Sequence, residues 1–162
     1  MQIIFDKDDV TLQDVAPTPI AIIGHRGDRA GLPETFRRFR AWGETVGLPP
    51  EARHTYMVFR SEREPVDPAD YSMDLCAATD QPIESNDLGV VGGLIPGGRC
   101  AVLRYPGNTN NLEPAALYLY RDWLPASGEE ARDFPIYSRR RLALIPHTQA
   151  HEVVVELFLP IK

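Results

Sequence analysis

The sequence predicts an α+β domain over residues 1–162, built from two related β-α-β-β units with pseudo-twofold symmetry. Three observations carry that reading. Short runs rich in β-branched and aromatic residues are bounded by turn residues, and the 15 prolines and 12 glycines are spread along the chain rather than gathered in a linker. Two stretches repeat apolar residues at spacings of three and four, each with a proline in its first turn. Matched residues then recur at a nearly constant offset along the chain.

In the first unit, an extended stretch at 11–15 precedes residues 19–25 (PIAIIGH), a strand that closes on a glycine turn. Leu32-Pro33-Glu34 opens a helix in which Phe36, Phe39, Trp42 and Val46 form one apolar stripe before Gly47 stops it. Residues 54–59 (HTYMVF) and 71–77 (YSMDLCA) are two further strands, separated by the charged, proline-containing loop SEREPVDPAD. The second unit repeats the pattern. Residues 99–105 (RCAVLRY) form a strand ending in Pro-Gly, and residues 112–124 a helix with Pro114 in its first turn and Leu112, Ala116, Leu119 and Trp123 as its apolar positions. Residues 134–138 and 152–160 supply the last two strands.

Superimposing the units places His25 on Tyr105 and Gly27 on Gly107 at an offset of 80, Trp42 on Trp123 and Tyr56 on Tyr137 at 81, and Asp74 on Glu156 at 82. The repeats then run from about 9 to 80 and from about 90 to 162. Two such units pair across a pseudo-twofold axis, as isologous surfaces do in dimers.

Composition narrows the function classes. Lys plus Arg number 17 against 23 Asp plus Glu, a formal charge of -6, so the general phosphate attraction that dominates nucleic-acid affinity is missing. At 43% hydrophobic and 25% charged, with no apolar run near the roughly 20 residues of a membrane span, the chain reads as an ordinary soluble protein. The N-terminus has no signal-peptide pattern, and a cytoplasmic location is expected. Cys76 and Cys100 fit reduced, packed thiols, and two cysteines exclude a multi-cysteine zinc site.

Strand alternation indicates where chemistry sits. In the last strand Val153, Val155, Leu157 and Leu159 share one face, and Val154, Glu156, Phe158 and Pro160 the other. In residues 71–77, Tyr71, Met73, Leu75 and Ala77 oppose Ser72, Asp74 and Cys76. Each unit therefore carries one carboxylate mid-strand on the face away from its helix. If the units curve toward each other, Asp74 and Glu156 face a shared cleft, and Phe158 is unusual company for a merely wet surface.

The chain resembles the GyrI-like, AraC-type effector-binding domains. The resemblance spans almost the whole chain and rests on the duplicated order, on IIGHRGDRAGLPETFRRFRAW and VLRYPGNTNNLEPAALYLYRDWL, on YSMDLCAA, and on the terminal VVVELFLPIK. It implies a concave antiparallel sheet backed by two helices, with a ligand cleft along the pseudo-twofold axis. Members bind bulky, amphipathic, often cationic compounds in an aromatic-lined cleft with a glutamate near its floor, which by motif position is Glu156. Such a ligand needs aromatic surface for its body and a carboxylate for its charge, with cation–π attraction adding about 0.5 to 2 kcal/mol per well-placed ring. Tyr56, Tyr105, Trp123 and Phe158 are the candidate rings, Asp74 and Glu156 the candidate carboxylates. Core packing is the competing account of each ring.

Other signals are weak. His147 and His151 are four apart, but Pro146 argues for a turn, and no metal or cofactor is expected. Residues 92–98 (GGLIPGG) lack the Lys-Ser or Lys-Thr of a phosphate loop and read as the connection into the second unit, and Arg139–Arg141 as a solvated strand end. Three functions compete: a small-molecule binding domain, a hydrolase of activated or strained molecules using Glu156 as base or nucleophile, and a module inhibiting a protein partner such as a topoisomerase. Many relatives carry this domain behind a helix-turn-helix region, for which the roughly ten residues before the first strand leave no room. Direct binding of duplex DNA is therefore not expected. Salt-dependent binding at micromolar concentration or tighter in a duplex titration would contradict that expectation.

Overall fold

A computed structural model describes residues 5–47, 55–60, 71–105, 113–141 and 154–162. The strands are β1 (Val10–Val15), β2 (Thr18–Arg26), β3 (Thr55–Phe59), β4 (Ser72–Ala78), β5 (Val91–Ile95), β6 (Gly98–Tyr105), β7 (Tyr137–Arg141) and β8 (Val154–Pro160). Helix α1 (Leu32–Thr45) follows β2, and a second helical segment after β6 comprises α2 (Glu113–Leu117), a π-helical stretch (Tyr118–Trp123) and α3 (Leu124–Ser127). His54, Gly107, Leu112, His147, His151, Val153 and the loop 61–70 lie outside the described residues.

All eight strands form one antiparallel sheet in the order β1-β6-β8-β7-β3-β4-β2-β5. The order is symmetric about the β7·β3 pair, with β1, β2, β3 and β4 matching β5, β6, β7 and β8. Register gives the same equivalence residue by residue. Asp74 pairs with Gly24 and Val58, while Glu156 pairs with Arg104 and Arg139. Cys76 pairs with Tyr56 as Phe158 pairs with Tyr137. Asp74 and Glu156 are thus equivalent, and so are Tyr56 and Tyr137.

Each unit carries one more strand than the β-α-β-β pattern, and the extra strands are exchanged. β1 adds to β6 of the second unit, and β5 adds to β2 of the first. The glycine-rich stretch expected to be a connection is largely β5. Its glycines reflect close approach: a Cβ on Gly93 would overlap the Ile22 side chain across the pair.

The helix-side core collects Met73, Leu75, Leu103, Val155, Leu157 and Leu159 beneath Phe39 and Trp42, whose rings stack at 5.8 Å. The expected stripe on α1 is narrower than its spacing suggested. Phe36 and Val46 are exposed, and Thr35 is buried in their place beside His25. His25 Nε2 faces the carbonyls of Gly27 and Asp28, so in the neutral ring it carries the proton, and Nδ1 accepts from the Thr35 hydroxyl at 2.8 Å. This ties the end of β2 to the start of α1.

The second helix departs from the uninterrupted α-helix that its periodicity predicts. Leu124 N–H donates to the carbonyl of Leu119, five residues back. Pro125 follows, without an N–H and with a ring that crowds the preceding turn of a regular α-helix, so the turns before it widen.

Arg132 secures the start of β6 by donating to the carbonyls of Gly97 and Arg99. Between them Gly98 has φ +135°, and a Cβ there would meet the Arg132 guanidinium at 2.6 Å. Gly27 has φ +113° with open space around it. Both substitutions strain the backbone, and Gly98→Ala, which also clashes with Arg132, is expected to cost about 2–3 kcal/mol against about 1–2 kcal/mol for Gly27→Ala. Denaturant midpoints of the two variants check this, and equal costs would refute the clamp.

Candidate functional site

The helix-free face of the sheet holds a second apolar cluster: Ile20, Tyr56, Val58, Cys76, Ile95, Cys100, Val102, Tyr137 and Phe158. Above it opens a cleft of about 360 Å³. Its walls include Gln13 and Val15 of edge strand β1, Ile95 of the opposite edge strand β5, and Tyr56 and Tyr137 of the two central strands. Residues from both edges and the centre meet around one opening, so the sheet curls toward its helix-free side.

Aromatic rings form the floor. Phe158 stacks on Tyr137 at 5.0 Å with their planes 2° apart, and Tyr56 tilts against Tyr137 at 6.1 Å. The Arg139 guanidinium lies 4.9 Å from the Phe158 centroid, within cation–π range. Arg139 Nη2 and Nε both donate to Glu156 Oε1, at 2.7 and 3.2 Å, and Arg104 Nη2 is 4.0 Å from Oε2. Burial pulls against the Arg139 charge, but the Glu156 carboxylate, with the Tyr56 hydroxyl, holds its pKa above the ordinary arginine value.

Asp74 is answered in the same manner by other partners. Arg60 Nε donates to Oδ2 at 2.9 Å and Arg26 Nη1 to Oδ1 at 3.2 Å. Arg26 reaches Asp74 by folding over Gly24, where a Cβ would come within 3.2 Å of the guanidinium. Both carboxylates are buried on the helix-free face, as alternation predicts, and each is held by guanidiniums. Neither belongs to the lining of the cleft, which Arg139 does.

The other candidates divide. Tyr56 and Phe158 line the cleft. Trp123 does not: it packs against the helix-side cluster, on the opposite side of the sheet, where its helical spacing with Leu119 puts it. Tyr105 pairs in register with Val155 of the helix-side core, and its side chain lies outside the described residues. The other lining residues were not among the candidates, and two of them belong to the aromatic floor and its margin. Tyr137 was legible as the match of Tyr56, and Arg139, set aside as a solvated strand end, stands two residues further along the same strand face and is half-buried.

Both thiols are free and buried. Burial raises the pKa of Cys76, with Asp74 adding to the shift, and burial likewise raises that of Cys100. Tyr137 is also pushed up by burial, its hydroxyl 4.0 Å from Cys100 Sγ. These groups are protonated packing elements at neutral pH. Among the described residues no group of three or more His, Cys, Asp or Glu side chains is placed to hold a metal, and no helix is long and apolar enough to cross a membrane.

A family model for a GyrI-like small molecule binding domain matches residues 8–162. The chain belongs to the GyrI-like family. A GyrI-like relative, the probable transcriptional regulator YgiV of Escherichia coli strain K12, is 33% identical over 129 residues, covering 79% of this chain and 81% of the relative. The crystal structure of the EcmrR C-terminal domain superimposes with a TM-score of 0.71 at 12% identity, covering 94% of this chain and 96% of that one. The structure of SAV2435 bound to tetraphenylphosphonium superimposes with a TM-score of 0.54 at 11% identity, covering 94% and 93%. These structural likenesses establish the GyrI-like fold.

Removing one partner of a largely buried ion pair strands the other charge. Arg139→Met is expected to destabilise the domain by about 1–3 kcal/mol. Arg37→Met, which breaks the exposed Glu34–Arg37 pair on α1, should leave the melting temperature unchanged. Equal melting temperatures for the two variants would show that Arg139 does not hold Glu156.

Proposed function

We propose that this chain binds bulky amphipathic small molecules in the cleft over Tyr56, Tyr137 and Phe158, with Arg139 as its polar contact and Glu156 behind it as the group that positions Arg139. The observation that carries the reading is the stacked aromatic floor with a charged side chain at its margin, at the bottom of an opening lined by seven strands and the β1–β2 turn. A volume of about 360 Å³ falls within the range of about 300–1,000 Å³ common to ligand sites. Apolar walls contribute about 25 cal/mol for each Å² of apolar ligand surface withdrawn from water, and a few polar groups set orientation. Membership of a small molecule binding family supports this, as does the bulky aromatic compound held by SAV2435.

The expectation of a cationic ligand bears on the same groups. A cation stacking on Phe158 beside Glu156 takes the place where the Arg139 guanidinium now stands, and has to displace it. A hydrolytic role for Glu156 meets the same obstacle, since Arg139 stands between the carboxylate and the cleft. Asp74 holds Arg26 and Arg60 outside this lining and is assigned no ligand contact.

Thr18 borders the cleft from the start of β2 and is partly exposed. Thr18→Trp should fill the opening without disturbing the core. Titration with a neutral, environment-sensitive apolar dye is expected to show binding by the wild type and at least tenfold weaker binding by the variant, at an unchanged melting temperature. Equal affinities, or no binding to the wild type by any of a broad panel of apolar dyes, would remove this cleft as the ligand site.

A further inference from the structure

We infer that β5 is an interaction edge, which pairs antiparallel with β5 of a second copy of this chain and joins the two sheets into one. β1 and β5 stand at the two ends of the strand order. Thr79 N–H donates to the Pro19 carbonyl at 3.0 Å, so Pro19 turns its backbone toward β4, and Ile20 turns its own toward β5, where it pairs with Gly93. Backbone groups alternate sides along a strand, and Val90, Gly92 and Leu94 therefore present their N–H and C=O away from β2. Asn86 answers the first of these: Val90 N–H donates to Asn86 Oδ1 at 3.0 Å, and Asn86 Nδ2 donates to the Val90 carbonyl at 2.8 Å. The outward groups of Gly92 and Leu94 have no partner among the described residues, and both residues are exposed.

The side chains leave this edge open as well. Sheets commonly guard an edge strand with charge, proline or a bulge. β1, the equivalent edge, carries Asp14 at the position that matches Leu94, whereas β5 has no charged residue from Val91 to Ile95. Val91 and Leu94, 58% and 53% exposed, are the two most exposed large apolar side chains among the described residues. A second β5 brings no like charge against them, which suits this strand to its own copy.

Pairing centred on Gly93 makes the contact self-complementary. Gly92 of one copy then lies opposite Leu94 of the other, the two exchange both backbone bonds, and the twofold axis repeats the exchange. Gly93 meets Gly93 at the axis, in a non-hydrogen-bonded pair where strands bring side chains closest, and neither carries a Cβ. Leu94 falls over Gly92 of the second copy, beside Ile83, which already stands 3.4 Å from where a Cβ on that glycine would be. Pairing β5 with β1 instead would be heterologous, would bring Asp14 into the new ladder and would grow without closing. A contact of five residues a side is smaller than the roughly 1,200 Å² of a standard interface, so the dimer exchanges with monomer.

Sedimentation velocity of the full chain over a concentration series is expected to show a reversible monomer and dimer, half associated at roughly 10–100 μM. Association should tighten as salt screens the charge of -6 on each copy. Gly92→Pro removes an outward N–H without taking a bond from the β2 ladder, and Leu94→Lys places an ammonium on the edge. Each is expected to weaken association about tenfold or more, with the melting temperature of the dilute monomer unchanged, while Leu12→Lys on β1 leaves association as in the wild type. Should Gly92→Pro fail to fold, hydrogen exchange of the wild type decides: the Gly92 and Leu94 amides should gain protection with concentration, and those of β1 should not. A chain still monomeric at submillimolar concentration, a dimer indifferent to both β5 variants, or assemblies that grow beyond the dimer would each overturn the pairing.

Discussion

The pairing of β3 with β7 is the contact on which the rest of the molecule depends. It joins the two units into one sheet, and its register sets Tyr56 directly opposite Arg139 and Val58 opposite Tyr137. A slip of one residue would turn every side chain of one strand to the opposite face. It would send Arg139 into the apolar helix-side core and separate Tyr56 from Tyr137. Both faces of this seam are buried, which specifies the register from two sides: Phe59 packs toward the helices, while Tyr56, Val58 and Tyr137 pack toward the cleft.

Upon this symmetric frame the charges are placed without symmetry. The carboxylates are equivalent, yet the guanidiniums that meet them come from positions that are not. Asp74 receives Arg26 over a bare Gly24, while Glu156 faces Arg104 at the position equivalent to that glycine. Burying a carboxylate carries a cost that falls only when another charge and well-formed hydrogen bonds accompany it. Each unit meets this requirement by its own route. Both units lay a partner cation on an aromatic face, Arg139 at 4.9 Å from the Phe158 centroid and Arg60 at 5.8 Å from that of Phe134, but only Arg139 belongs to the lining of the cleft described above.

Much of this was legible in the sequence because it rests on periodicity. The two-residue period of 71–77 and 152–160 places Asp74, Glu156 and Phe158 on the helix-free side, and the offset of 80 to 82 carries Tyr56 onto Tyr137. What was not legible depends on contacts between segments distant in the chain. Gly92 and Gly93 read as a loop because nothing local shows that β5 must approach Ile22 closely. Trp123 has the hydrophobicity of a cleft ring, and only its helix decides which side of the sheet it occupies. The arginine triplet after Ser138 has the composition of a solvated strand end. Alternation from Tyr137 places Arg139 on the aromatic face, but its partner, Glu156, lies on another strand that sequence alone does not bring beside it.

The overall charge gives a poor guide to the charge that a ligand meets. The chain carries -6 in total, and that excess suggests a preference for cations. At physiological salt, however, exposed charges more than about 8 Å apart are largely screened from one another, so the acidic surface contributes little inside a cleft. What remains is local: the Arg139 guanidinium beside an aromatic floor, its counter-carboxylate Glu156 outside the lining, and Asp14 at the border of the opening. Glu156 holds the guanidinium at the edge of the rings, so the rotamer entropy of Arg139 is given up on folding. The buried carboxylate thus acts through the cation it retains, and the conspicuous acidic residue of the last strand marks where a positive group is fixed.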